Sequence, residues 1–243
     1  GRNRRPLEAD DGDAFYSLLS AAKQVAADSA GSEEALPLPS VVQSIDLLQT
    51  PDQLAGQWIR INASTVRITK ITVDDPVRRE QLGQNHYFQI DASGDLGKTV
   101  VKLKRSDGDP AGPVEMSGSY PLSLVATTLP AFLREKFESQ NAVVSMISVP
   151  VSVDGFFFRL WSYENEFMTN QNAGKQVGPL IVAATIRSEL PAANPGDDVR
   201  WIGYLMAAGI VIAILGTFGW TRRNAREDEA VRKNAAESIT IDL

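Results

Sequence analysis

The 243-residue chain has no cysteine and one histidine, His86. The first absence excludes disulfide staples, zinc–thiolate centres and cysteine nucleophiles, and the second excludes a multi-histidine metal site. Lack of cysteine leaves the redox compartment open, because many exported proteins also have none. The glycine spacings that cradle phosphates are missing too. There is no G-x-x-x-x-G-K-[ST] and no G-x-G-x-x-G, and the faint echo GDLGKT at 94–99 lacks the first glycine at the required distance. No G-x-S-x-G supplies a nucleophile elbow. The acidic stretches DDGD at 10–13 and DGDP at 107–110 lack the form of a calcium loop. Asp91, Asp95, Asp107 and Asp109 are therefore read as turn chemistry. His86 has no sequence signature linking it to a nucleophile and is read as structural. The expectation is a protein that is not an enzyme, with no catalytic, cofactor or metal residues.

Positive charge is also short. The formal net charge is −6, which argues against a general nucleic-acid binder, since such a protein needs a basic face for phosphates. VKLKR at 101–105 is read as a solvated strand face, and NAS at 62–64 is a weak glycosylation match. The chain starts at Gly1 rather than methionine, so a processed or truncated product is expected, and a signal peptide or earlier membrane segment is left open.

What is present is one long apolar run. Trp201 to Trp220, WIGYLMAAGIVIAILGTFGW, holds no charge, and as a helix it spans roughly 30 Å, the hydrocarbon thickness of a bilayer. Trp201 and Tyr204 at one end, and Trp220 with Arg222 and Arg223 at the other, are the candidate membrane-interface residues. Arg222, Arg223, Arg226, Arg232 and Lys233 follow the span, against Arg187 and Arg200 before it. The positive-inside rule then puts residues 221–243 in the cytoplasm as a charged tail, and the large domain outside. The three arginines of GRNRRP would be a cytoplasmic flank if a membrane helix preceded them. Gly203 with Ala207, and Gly209 with Ala213, allow close helix contact. The expected organisation is 1–53 as an N-terminal helical segment and linker, 54–188 as a β domain, 189–200 as a tether, then the span and tail.

Ahead of the span, DAFYSLLSAAKQVAAD places Phe15, Leu18, Leu19, Ala22, Val25 and Ala26 on one helical face, with Asp13 as its cap. SEEALPLPS is a linker, and VVQSIDLLQ a second short helix. WIRINASTVRITKITV is β-branched and reads as a strand, with Trp58, Val66, Ile68 and Ile71 expected inside. DDPVRREQLGQN reads as a loop, HYFQIDA as a strand, SGDLGK as a turn and TVVKLKR as a strand. YPLSLVATTLP is a strand, AFLREKFES a helix, and NAVVSMISVPVSVDGFFFRLWSYENE two strands broken near Pro150 or at Asp154–Gly155. PLIVAATIRS is the last strand. Three strands, a short helix and two closing strands are the order of an OB-like β-barrel, with room for an extra hairpin at 99–118. A β-sandwich and an irregular mixed sheet are its rivals.

The segments DAFYSLLSAA, PDQLAGQWIRINASTVRI, HYFQI, YPLSLVATTLPAFL, DGFFFRLWSYENE and PLIVAATI resemble a group of uncharacterised membrane-anchored proteins of planctomycete-type bacteria. In these an OB-like module sits beside transmembrane helices. The resemblance covers about residues 13–220. It implies a bacterial envelope protein and an OB-like domain, and supplies no activity.

The aromatic run at 155–163 is the richest local feature. Phe156 and Phe158 must face one side of a strand and Phe157 the other. A strand buried on both sides, by the barrel core and by the N-terminal helix, accounts for it. The candidate interaction surface is Phe157, Arg159, Trp161 and Tyr163, with the Arg159 guanidinium able to pack on a ring. The leading expectation is a non-catalytic, single-pass membrane-anchored scaffold or interaction module, in contact with lipid and with a protein partner in the cell envelope. The alternative is an OB-like domain that binds oligosaccharide or nucleic acid through the aromatic strand. An enzyme of unrecognised type stands third.

Overall fold

The computed structural model describes residues 3–6, 8–31, 37–103, 113–164, 168, 170 and 175–189, all within one compact unit, Gly1–Pro191. The expected span at 201–220, its interface residues Trp201, Tyr204, Trp220, Arg222 and Arg223, the tail, and all of the tether but its first residue lie outside the described residues. No helix among the described residues is long and apolar enough to cross a membrane.

The chain is mostly β with an N-terminal helix. A 3-10 turn, Ala9–Asp11, leads into α1 (Gly12–Gly31). Then come β1 (Ser40–Val41), α2 (Ser44–Gln49), α3 (Pro51–Leu54) and β2 (Trp58–Thr72). They are followed by α4 (Pro76–Leu82), β3 (His86–Leu103), β4 (Val114–Ala126) and α5 (Ala131–Ser139). The last three are β5 (Val144–Met146), β6 (Pro150–Tyr163) and β7 (Gln176–Ser188). Strands β2, β3, β4, β7 and β6 pair in that order, and β6 pairs back to β2, so the sheet closes into a ring. Only the β4–β7 pair of that ring is parallel. Ring closure gives each of these five strands a partner on both sides, and leaves β1 and β5 off the ring.

Alternation along the ring strands fills its interior. Ile59, Ile61, Ile90, Leu122, Leu124, Val151, Val153, Phe157 and Ile181 meet there, joined by Leu133 and Phe137 from α5 and Leu47 from α2. A second apolar layer lies outside the ring, where Phe15, Leu19 and Ala22 of α1 pack on Val125, Leu180 and Val182, with Phe156, Phe158 and Trp161 around them. Each large side chain buried this way contributes about 1.5–3 kcal/mol. The aromatic run is thus covered on both faces, as its composition leads one to expect, and α1 uses the helical face read from its spacing.

Four expectations are corrected. Asp13 does not cap α1; it sits within the first turn and pairs with Arg78 of α4. DDPVRREQLGQN is not a loop, because its middle forms α4. Asp75 caps that helix by accepting the Val77 N–H at 2.8 Å, Pro76 opens it, and Gly83 ends it at φ 64°. Lys23 of α1 donates to the Leu82 carbonyl at 2.6 Å, so the two helices lock together. SGDLGK does not separate two strands; β3 runs through it with a bulge between Asp95 and Val100, opposite Gly118. Turn chemistry survives inside the bulge, where Asp95 accepts the Gly97 N–H at 2.7 Å and Gly97 takes φ 58°. The expected hairpin at 99–118 is the outer part of this β3–β4 pair.

The fourth correction concerns β2. Ile59, Ile61, Ala63 and Thr65 point inward at odd positions, but Ile68 points inward at an even one. A register shift between Thr65 and Arg67 swaps the parity. Val66, expected inside with Ile68, is therefore turned out and 43% exposed, while Trp58 packs outside the ring on Phe156 at 4.9 Å. Thr65 uses its buried hydroxyl to bridge the break between β5 and β6, donating to Ile147 O (2.6 Å) and accepting from Val149 N (3.0 Å). The break falls just before Pro150, which opens β6 where its missing N–H is harmless.

Asp154–Gly155 is a further irregularity, a bulge in β6 against β7. A methyl at Gly155 would sit 2.9 Å from the Ala183 Cα and closer still to the Val182 carbonyl, both backbone atoms that cannot step aside. Gly155→Ala is expected to cost about 1–3 kcal/mol in urea unfolding, the range for overpacking a tight site. A neutral result would show that the strands there are free to separate.

Candidate functional site

Four ring strands build one cleft on the outer surface. The β2 bulge presents Val66 and Arg67, β3 presents Asp91 and Ser93, and β4 presents Met116, Ser119 and Pro121. Met146 of β5 and Tyr163–Glu164 at the end of β6 close its sides, and the volume is about 660 Å³. Register brings these together: Arg67 lies opposite both Asp91 and Met146, and Asp91 lies opposite Ser123 on the next strand.

The polar part is self-contained. Arg67 Nε donates to Asp91 Oδ2 at 2.7 Å, and Gln89 Nε2 donates to Asp91 Oδ1 at 3.0 Å. Tyr163 closes the upper end. Gly178 on β7 lies under it, and a methyl there would meet the Pro121 carbonyl at 3.0 Å and rest on the Tyr163 ring and hydroxyl at 3.6 Å. Burial pushes the Tyr163 phenol up, the negative charge of Asp91 adds to this, and Arg67 opposes it, so the group stays neutral. The apolar part is flexible and open: Met146 is 67% exposed, and its neighbour Val66 is exposed as well.

The aromatic-strand residues are distributed differently from the sequence expectation. Phe157 is fully buried inside the ring. Arg159 is buried too, but outside the ring and beneath the N-terminal segment, held by Asp11 at 2.6 Å and by the Pro6 carbonyl at 2.9 Å, with its guanidinium 6.0 Å from the centre of the Phe158 ring. Neither is available as a surface. Trp161 is half-buried beneath the N-terminal segment and stacks on Tyr163 at 4.9 Å. Only Tyr163 of the four lines the cleft. Val66, Arg67, Met116 and Met146 were not singled out as a site by sequence, and Asp91, read there as turn chemistry, stands within β3 opposite Arg67; the bulge at 65–67 and the register of four strands decide that they meet.

His86 and Asp154 centre two other polar groupings. His86 contacts Asn85 Oδ1 at 2.9 Å and packs edge-on against Phe88; burial and Lys70 lower its pKa. Among the described residues no three of His, Asp and Glu gather as metal ligands. Asp154 is buried and receives both guanidiniums of neighbouring strands, Arg60 at 2.6 and 2.8 Å and Arg187 more closely. Burial alone would raise this carboxyl, but the hydrogen bonds from Arg60 and Arg187 together outweigh it and hold it below the usual carboxylate range. A depressed carboxyl stabilises the fold above its unfolded pKa and loses that contribution as pH falls through the folded one. Unfolding midpoints measured against pH are therefore expected to drop below about pH 4, and Asp154→Asn to flatten that limb while lowering the plateau at neutral pH. An unchanged acid limb in the variant would show that other carboxylates set it.

No protein-family model matches the chain, and a search of curated proteins finds no match.

Proposed function

We propose that the ring of strands is an OB-like barrel, and that the protein is a non-catalytic, membrane-anchored module that offers the β2–β3–β4 cleft to an extended segment of a protein partner in the cell envelope. The barrel is supported by the ring order β2-β3-β4-β7-β6, its single parallel pair and the placement of α5 between β4 and β5. That is the connectivity of a five-stranded Greek-key barrel. The anchor is the uncharged run 201–220, with the barrel outside the cytoplasmic membrane and the tail inside. Membership of the planctomycete-type group of membrane-anchored proteins belongs to the same proposal.

The observation that carries the function is the lining of the cleft. Met116 and Met146 supply soft, unbranched side chains that adapt to a partner, beside Val66 and Pro121. Its cation, Arg67, is already neutralised by Asp91, which leaves little for a phosphate backbone. Among the described residues of the lining Tyr163 is the one aromatic ring, so they offer no row of open rings on which bases stack.

The test is purification of the full chain from its native membrane in mild detergent. A protein is expected to accompany it in fixed proportion, and Met116→Asp is expected to weaken that association by about tenfold or more without changing the melting temperature. Deleting 201–220 is expected to release the domain from membranes. Turnover of a substrate that a single polar substitution abolishes would sink the proposal. So would binding of an oligosaccharide or nucleic acid that Tyr163→Ala removes.

A further inference from the structure

Strand β5 stands off the path of the ring and, among the described residues, pairs with β2 alone. The ladder fixes which of its backbone groups are used. Lys70 N donates to Val143 O at 2.9 Å, Ile147 N donates to Val66 O at 3.1 Å, and Ser145 faces Ile68 between them. Backbone groups alternate sides along a strand, so those of Val144 and Met146 turn away from β2. Their side chains alternate too: Ser145 and Ile147 are buried, whereas Val144 is 46% and Met146 67% exposed. Val66, which shares the cleft with Met146, extends this apolar strip.

Edges of this kind are normally guarded by lysine, proline or an inward charge. Between Glu138 and Asp154 the sequence carries no charge at all, and the only proline, Pro150, stands beyond the edge. We propose that the edge is covered by a second copy of this chain, with β5 of each copy paired antiparallel about a two-fold axis at Ser145. Val144 then meets Met146 of the other copy, and Met146 meets Val144. These are the residues whose N–H and C=O groups face outward, so the pairing closes two complete hydrogen-bonded pairs. A strand paired with itself faces any charge with its own likeness, and the uncharged run is what such pairing needs. The contact is small. It rests on the membrane-anchored reading, because confinement to one membrane supplies the effective concentration that a few backbone bonds cannot.

The experiment is to count copies of the full chain in lipid nanodiscs by mass photometry, and to test register with cysteines in this cysteine-free protein. Two copies per disc are expected, falling to one for Val144→Lys with an unchanged melting temperature. Chains carrying Val144→Cys, mixed with chains carrying Met146→Cys, are expected to cross-link as mixed disulfides. The paired Cα atoms would be about 5.5 Å apart, within disulfide reach. Either variant alone is expected to cross-link several-fold less, because its own copies are offset along the strand. Met116→Asp, which disables the cleft, is expected to leave the pair intact. Single copies that still join membranes and still bind the partner would overturn the pairing and leave the proposed function standing. Equal cross-linking in mixed and unmixed samples, or a pair that Val144→Lys does not disrupt, would also overturn it.

Discussion

Asp11→Ala is expected to lower the unfolding free energy by about 3–5 kcal/mol, the usual cost of breaking a buried ion pair from one side. Asp11 and Arg159 lie 2.6 Å apart with side chains only 8% and 7% exposed. Removing the carboxylate takes a counter-charge at 2.6 Å away from a buried guanidinium. Arg159→Met removes the charge instead and leaves the carboxylate buried, with a similar loss. The double variant, Asp11→Ala with Arg159→Met, is expected to recover most of the stability, since an apolar replacement of both partners desolvates nothing charged. Urea midpoints for the four proteins form the cycle that separates pair from burial. A loss below about 1 kcal/mol for Asp11→Ala would show that water reaches the pair.

Phe157→Ala is expected to cost about 3–5 kcal/mol, as a fully buried phenylalanine leaves a cavity the ring cannot collapse to fill. Phe157 has no exposure, and its neighbours in the core come from several ring strands. Phe156→Ala is expected to cost less, because that side chain is only partly buried on the other face, against Trp58. The two losses, measured by the same urea unfolding, read out which face of β6 looks inward. A larger loss for Phe156 would reverse the assignment.

The order of strands, the helix between β4 and β5, and the break before Pro150 are legible from composition and punctuation. So is the face of α1 that holds Phe15, Leu19 and Ala22, because periodicity over twenty residues averages out local exceptions. What escapes a linear reading is parity. One register shift at Thr65–Arg67 turns Val66 out, and no residue type marks it, since Ser64, Thr65 and Val66 are all ordinary strand residues. At β5 the pattern runs opposite to intuition, with Ser145 inside and Val144 and Met146 outside. α4 is a different matter: Asp75, Pro76 and Gly83 are a cap, an opener and a terminator, and polarity masked them as a loop. The cleft depends on the register of four strands and was therefore beyond reach, whereas the burial of the aromatic strand on both faces was not.

The segment Asn3–Pro6 lies along β6 beyond the reach of β2. Arg4 N donates to Leu160 O at 3.0 Å, Ser162 N to Arg5 O at 3.1 Å, and Leu160 N to the Asn3 side chain across 157 positions of sequence. During synthesis these residues are made 157 positions before the strand they dock on, so their docking site does not exist until β6 has been made. At about 5–20 residues per second, the nascent chain carries this segment undocked for roughly 8–30 s. β7, which follows, must also slot in parallel to β4, a slow non-local step. The domain therefore assembles as a late, concerted event, and a nascent chain that has not yet reached β7 offers chaperones an unfolded substrate rather than a partly closed ring.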